Sequence, residues 1–205
     1  MGQGGYTIAE WNSVAKSDPI FQAAFADLDI KMIGKCSADW APKTMGYLVP
    51  GAGQFGRTTI LPELFDDANA AIMTNWRQAL SAVGNQTLIT GNGSAQIMPE
   101  DVKVGWLGLA FPNKDQNITE IRWQIGDRKY GRINIEEMHC YNCPAIIFEE
   151  GFILNEEENF ELYGYVQGPL PASGHAYLYQ SIVMLGATYF KFIDKVLGNC
   201  GASIT

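Results

Sequence analysis

The sequence predicts a mainly β chain, an antiparallel β-sandwich carrying N-terminal helices and a long Gly/Pro-rich segment. Three observations predict it. From residue 160 to 166, Phe160, Leu162, Gly164 and Val166 alternate with Glu161, Tyr163 and Tyr165, the period of a half-buried antiparallel strand. Around that strand, residues 144–193 break into short apolar runs. An acidic corner (Glu149, Glu150, Gly151), an acidic turn (155–159) and a Gly-Pro-Pro loop (168–174) separate them, which is the punctuation of a sandwich or barrel. The chain is also 205 residues long, 47% apolar and 18% charged, enough for one domain with a real core and far from a disordered composition.

Taken in order, Thr7-Ile8-Ala9-Glu10 is a capping box and predicts a short helix over 8–16. Asp18-Pro19 is a second start signal. After it, Ile20, Phe21, Ala24, Phe25, Leu28 and Met32 predict an amphipathic helix over 19–33 that ends near Gly34. Residues 35–61 read as irregular, with Pro42, Pro50 and a cluster of glycines. Pro62 predicts a third helix, 62–83, with Leu64, Phe65, Ile72, Trp76, Leu80 and Val83 on one stripe and Gly84 as its cap. Strands follow at 86–90, 102–111, 118–125, 132–138, 145–148, 152–154 and 160–166, then an apolar ribbon over 175–193. The expected division is a helical region with an irregular arm (1–84) and a sandwich (85–205), together one structural unit.

The net charge of −8 argues against a dedicated nucleic-acid binder. The densest basic cluster, Arg122, Arg128, Lys129 and Arg132, reads as a solvated strand face. No run reaches the ~18 apolar residues of a membrane span. The opening MGQGGYTIAEW lacks a basic segment leading into an apolar one, so no secretion signal is expected.

Gly51-Ala52-Gly53-Gln54-Phe55-Gly56 has the spacing of a dinucleotide-binding turn, but Pro50 precedes it and no helix is predicted to open inside it. It reads as a flexible arm. His139, Cys140 and Cys143 form the sharpest chemical signal. With Cys36 or Cys200 they could supply ligands to one structural zinc; free thiols or a disulfide are the other readings, and no other cofactor is expected. The glutamates 149, 150, 156, 157, 158 and 161 lack the order of a calcium loop and read as solvated guards of sheet edges. No nucleophile elbow, phosphate-binding loop or zinc-protease helix is present, and His139 and His175 are the only histidines, so no catalytic residues and no enzyme are predicted. Trp76 and Trp123 fall on predicted core stripes, whereas Trp40 is the tryptophan expected to meet a partner.

The run IIFEEGFILNEEENFELYGYVQGP followed by YLYQSIVMLGATYF resembles the terminal strands of single jelly-roll virion proteins. The resemblance covers about the last 60 residues of the sequence and carries over no active site. It implies a jelly-roll-like capsid subunit that self-associates through N-terminal helices and loops. Its partners would be copies of itself and other assembly subunits, and its place the virion, assembled in the host cytoplasm. The acidic balance departs from capsid proteins with a basic genome-binding arm. A different class, the carbohydrate- or ligand-binding β-sandwich module, would be marked by an exposed row of aromatics on one sheet.

Overall fold

A computed structural model describes residues 6–9, 19–40, 55–80, 82–113, 117–168, 170 and 179–191. Its elements run β1 (Tyr6–Ala9), α1 (Pro19–Trp40), β2 (Phe55–Thr59), β3 (Phe65–Asp67), β4 (Arg77–Ala79), β5 (Gly84–Gly91), β6 (Val102–Ala110) and β7 (Ile118–Ile125). They continue with β8 (Arg128–Lys129), β9 (Ile133–Asn134), α2 (Ile135–Cys140), β10 (Ala145–Leu154), β11 (Phe160–Val166), β12 (Tyr179–Ser181) and β13 (Val183–Lys191). Sheet A has the order β1-β10-β6-β13-β2, and sheet B the order β3-β5-β11-β7-β8, with β9 also pairing β7. Every pairing is antiparallel. If β2, β5, β6, β7, β9, β10, β11 and β13 are counted one to eight, sheet A contains 1-8-3-6 and sheet B 2-7-4-5. That is the double Greek-key winding of a jelly roll.

The sheets enclose an aromatic core. Trp106 is fully buried and stands edge-on to Trp123 (centroids 5.4 Å apart), Phe148 (4.9 Å) and Phe160 (5.4 Å). Its indole N–H donates to the Gly108 carbonyl at 2.7 Å, so the largest apolar group in the core carries no orphaned donor.

A second, smaller core lies on the other face of sheet A. Leu28, Met32, Cys36 and Trp40 recur at four-residue steps on α1 and pack with Leu107, Ile147, Ala187 and Tyr189. Burying each large side chain there contributes about 1.5–3 kcal/mol. Two glycines make the seat. A Cβ on Gly105 would lie 3.1 Å from Met32 Cγ, and one on Gly151, whose φ is +64°, would lie 2.8 Å from Leu28 Cδ2. Among the described residues α1, sheet A and sheet B thus stack as layers, with β4 and β12 pairing in a separate small sheet.

The predicted strands 86–90, 102–111, 118–125 and 160–166 are present. The predicted 145–148 and 152–154 are the two ends of one strand, β10, whose register against β6 shifts between Ile147 and Phe152. Four expectations are corrected. The helix begun at Pro19 passes Gly34 and continues to Trp40, supported by a Lys35–Asp39 ion pair one turn apart at 3.3 Å. Tyr6–Ala9 is a strand on the open edge of β10, where a helix from residue 8 was expected; residues 10–16 lie outside the described residues.

The helix 62–83 is replaced by one 3₁₀ turn (Pro62–Leu64), β3 and β4. The Asp67 carboxylate accepts from the Asn69 and Ala71 N–H groups at 2.8 and 3.1 Å, and Asn75 Oδ1 accepts from Arg77 N–H at 2.9 Å. These side-chain turns take up backbone donors that a helix would have used. The strand 132–138 shrinks to Ile133–Asn134, after which Asn134 Oδ1 caps α2 by accepting from Glu136 and Glu137 N–H at 2.8 and 3.3 Å. From the region before residue 84, β2 and β3 are strands of the two sheets themselves.

Candidate functional site

The Asn134 cap starts a helix that buries Ile135 and Met138 and leaves Cys140 exposed at its last position. Asn142 turns the chain with φ at 54°, and the half-buried Cys143 thiol donates back to the Tyr141 carbonyl at 3.2 Å. His139 is half-buried; its Nε2 is enclosed without a hydrogen-bond partner, and burial lowers the imidazole pKa. Cys140 is thus a free thiol exposed at a helix end, and Cys143 a free, half-buried one. Cys36 belongs to the small core beneath α1, while Cys200 and His175 lie outside the described residues. Among the described residues no three His, Cys, Asp or Glu side chains gather as metal ligands.

The glycine motif fares no better as a phosphate cradle. Residues 51–54 lie outside the described residues, and Phe55 and Gly56 open β2, a strand paired with β13 rather than a helix.

The acidic turn between β10 and β11, in contrast, does structural work. Glu158 Oε2 accepts from the backbone N–H and side-chain amide of Asn155 at 3.0 and 2.8 Å, closing the turn. Glu156 reaches inward. One or both of its oxygens accept from Lys103 Nζ (3.0 Å), the Asp101 N–H (3.1 Å) and the Trp40 indole N–H (3.1 and 3.3 Å). Lys103 is only 2% exposed; it also pairs with Asp39 at 3.2 Å and lies 5.0 Å from the Trp40 ring centroid. A buried ammonium is tolerated only with such compensation. Burial raises the Glu156 pKa, but Lys103, Trp40 and the Asp101 N–H outweigh it and hold the carboxyl below its usual range. The Lys103 hydrogen bond does the same for Asp39. Trp40, expected to meet a partner, instead fastens the end of α1 to its own sheet.

A second polar cluster fastens the middle of α1. Asp29 accepts from the Tyr189 hydroxyl on β13 and from Arg57 Nη1 on β2, the latter at 2.8 Å. Burial pushes the Asp29 carboxyl up, yet these two donors bring it below the normal value. Burial and the Asp29 contact together raise the Tyr189 phenol.

Sheet A is covered; the outer face of sheet B has no cover among the described residues. Cross-strand register places Asp66, Thr90, Glu161, Gln124 and Lys129 in one row. Thr87, Tyr163 and Arg122 form the next, and Asn85, Tyr165, Glu120 and Asn134 a third. Directly opposed residues share a face, so β11 presents Glu161, Tyr163 and Tyr165 outward in line. Tyr165 is 41% exposed. The Tyr163 hydroxyl donates to Glu161 while the Arg122 guanidinium sits 5.0 Å from its ring centroid, and burial with the Glu161 contact pushes its pKa up to about 12. Arg132 pairs with Glu120 at 3.1 Å, so the basic cluster read from sequence is partly neutralised within this face. No family model, curated protein or solved structure matches the chain.

The candidate groups that matter most, Asp29, Asp39, Arg57, Lys103 and Tyr189, were not singled out from sequence. Lys103 left a signal: it is the only charge in the apolar run Val102–Ala110. The other four carry none, because their partners are distant in the chain.

Proposed function

We propose that this chain is a structural assembly subunit, a non-catalytic jelly-roll protein of a virion shell that associates with copies of itself through α1 and neighbouring loops. One observation carries the reading: α1 exposes isoleucines, among its charged residues, on the side its own sheet does not cover. Ile30 is 71% exposed and Ile33, one turn on, 44%, with Ile20 also open. A helix apolar on more than one face requires a second partner. The jelly-roll winding is shared by capsid proteins and by unrelated binding domains, so it supports the reading by analogy of fold. The carboxylates Asp29, Asp39 and Glu156 and the buried Lys103 and Tyr189 are tied into pins rather than converging as acid, base and nucleophile. Light scattering coupled to size exclusion over a range of concentration tests it. The full chain should form a large closed species, and Ile30→Lys with Ile33→Lys should reduce it to a smaller one with unchanged circular dichroism. A chain that stays monomeric throughout would refute the proposal.

The outer face of sheet B favours a second reading, a carbohydrate- or ligand-binding module. Tyr163 and Tyr165 stand in line among hydrogen-bonding side chains on an uncovered face. Saccharide binding lost on Tyr165→Ala, by a protein that remains monomeric, would select that reading over assembly.

A further inference from the structure

We propose that α1 is a proton-released cover: its two carboxylate pins open on acidification and lift the helix from sheet A while the sandwich beneath remains folded. The argument rests on where the polar groups lie. Among the described residues, two polar clusters join α1 to sheet A, and at both a carboxylate is the acceptor that joins the layers. At the first, Asp29 of α1 faces Tyr189 of β13 and Arg57 of β2. At the second, Lys103 of β6 faces Asp39, Lys35 and Cys36 of α1, and Glu156 from the β10–β11 turn. Asp101, whose N–H binds Glu156, carries a carboxylate 3.6 Å from Lys191 of β13. The other charges near the helix include the exposed pair Asp27–Lys31 at 2.7 Å, Glu149, which lines a cleft with Asp27, and Glu150 on the β10 bulge.

Lys103 makes the second pin a switch. Its ammonium is 2% exposed and has two counter-charges. Protonating Asp39 and Glu156 removes both and leaves a cation enclosed under the Trp40 ring. A buried charge without a partner is among the most costly arrangements in a protein. The least disruptive route to water is to raise Trp40 and the helix end. At the first pin, protonating Asp29 weakens its hold on the Tyr189 hydroxyl and on Arg57, a half-exposed cation that turns to water instead of being stranded. Among the described residues the sandwich core contains no such carboxylate pair: Trp106, Trp123, Phe148 and Phe160 are apolar neighbours. Asp29, Asp39 and Glu156 all titrate below their ordinary values in the folded protein. Each therefore stabilises the closed form fully above the ordinary carboxylate range and loses that contribution as pH falls through the lower folded values. Release lifts the cover from Leu107, Ile147, Ala187 and Tyr189.

Cys36 reports the event, because it is fully buried on the underside of α1. The test uses the full chain with Cys140→Ser, Cys143→Ser and Cys200→Ser, and a pyridyl disulfide that reacts with thiols in acid. Rates are normalised to the same protein unfolded at each pH. Between about pH 7 and about pH 3 the normalised Cys36 rate should rise at least about tenfold, while near-ultraviolet circular dichroism of the Trp106 cluster is retained. At about pH 7, Asp39→Asn with Glu156→Gln should open Cys36 to a similar degree. Lys103→Met, which has no cation to strand, should move opening to lower pH. Cys36 that becomes reactive only when the near-ultraviolet signal collapses would overturn the proposal. So would a Lys103→Met chain that opens at the parent's pH. If the paired amide variant fails to fold, the comparison of the parent with Lys103→Met still decides.

Discussion

Replacing Gly151 by alanine probes how closely α1 is seated. Two costs add. Gly151 has φ at +64°, a region where an L-residue costs about 1–2 kcal/mol. The new Cβ would also stand 2.8 Å from Leu28 Cδ2, 3.2 Å from Leu28 Cδ1 and 3.2 Å from the Trp106 carbonyl oxygen. Overpacking of that kind costs about 1–3 kcal/mol when the neighbours cannot move away. The sum is a loss of about 2–5 kcal/mol, read from urea unfolding by tryptophan fluorescence. Leu28→Ala separates the parts. It removes the side chain that clashes but leaves the backbone conformation, so the two substitutions should couple favourably by about 1–2 kcal/mol. A loss below ~0.5 kcal/mol for Gly151→Ala, or strict additivity with Leu28→Ala, would show that the helix does not lie this close to the β10 bulge.

Asn134→Ala removes the acceptor for two helix N–H groups and should cost about 1 kcal/mol, seen as a lower unfolding midpoint. Trp106→Phe leaves a space in the aromatic core and frees the Gly108 carbonyl; calorimetry should show a loss of about 2–4 kcal/mol. Timed alkylation followed by mass spectrometry should modify the exposed Cys140 first and Cys36 last, since burial lifts the Cys36 thiol to about 11. Cys140→Ser with Cys143→Ser should change stability by less than ~1 kcal/mol, and a larger loss would point to a metal or disulfide at that turn.

What was legible in the sequence was whatever the chain encodes locally. The alternation in Phe160–Val166 and the Asp18-Pro19 start signal each describe a single element, and both elements are present. The failures came where a local pattern met a stronger competitor. Leu64, Phe65, Ile72, Trp76 and Leu80 have helical spacing, yet Asp67 and Asn75 offer the backbone side-chain acceptors within the same stretch. Thr7 to Glu10 looks like a helix start, yet Tyr6–Ala9 satisfies its backbone on β10, some 140 residues away. Asn134 and Glu137 formed a readable capping signature that the strand assignment passed over. The pins were invisible for a different reason. Asp29 and Tyr189 are 160 positions apart, and Trp40 and Glu156 are 116 apart. Only the isolated charge of Lys103 hinted that something on an apolar strand had to be neutralised.

The seat of α1 has a consequence for how the chain is made. Its floor consists of β6, β10 and β13, and Tyr189 comes from the last of these. Translation delivers α1 roughly 150 residues before β13, a delay of about 8–30 s at ordinary elongation rates. During that interval the helix exists without the surface that buries Leu28, Met32, Cys36 and Trp40. A 22-residue helix with apolar residues on several sides is marginal alone and adhesive to other chains. Closing β13 against β6 and β2 is a long-range step and hence a slow one. Docking of α1 on its full seat must come after it, which makes protection of Cys36 a clock for the completion of folding.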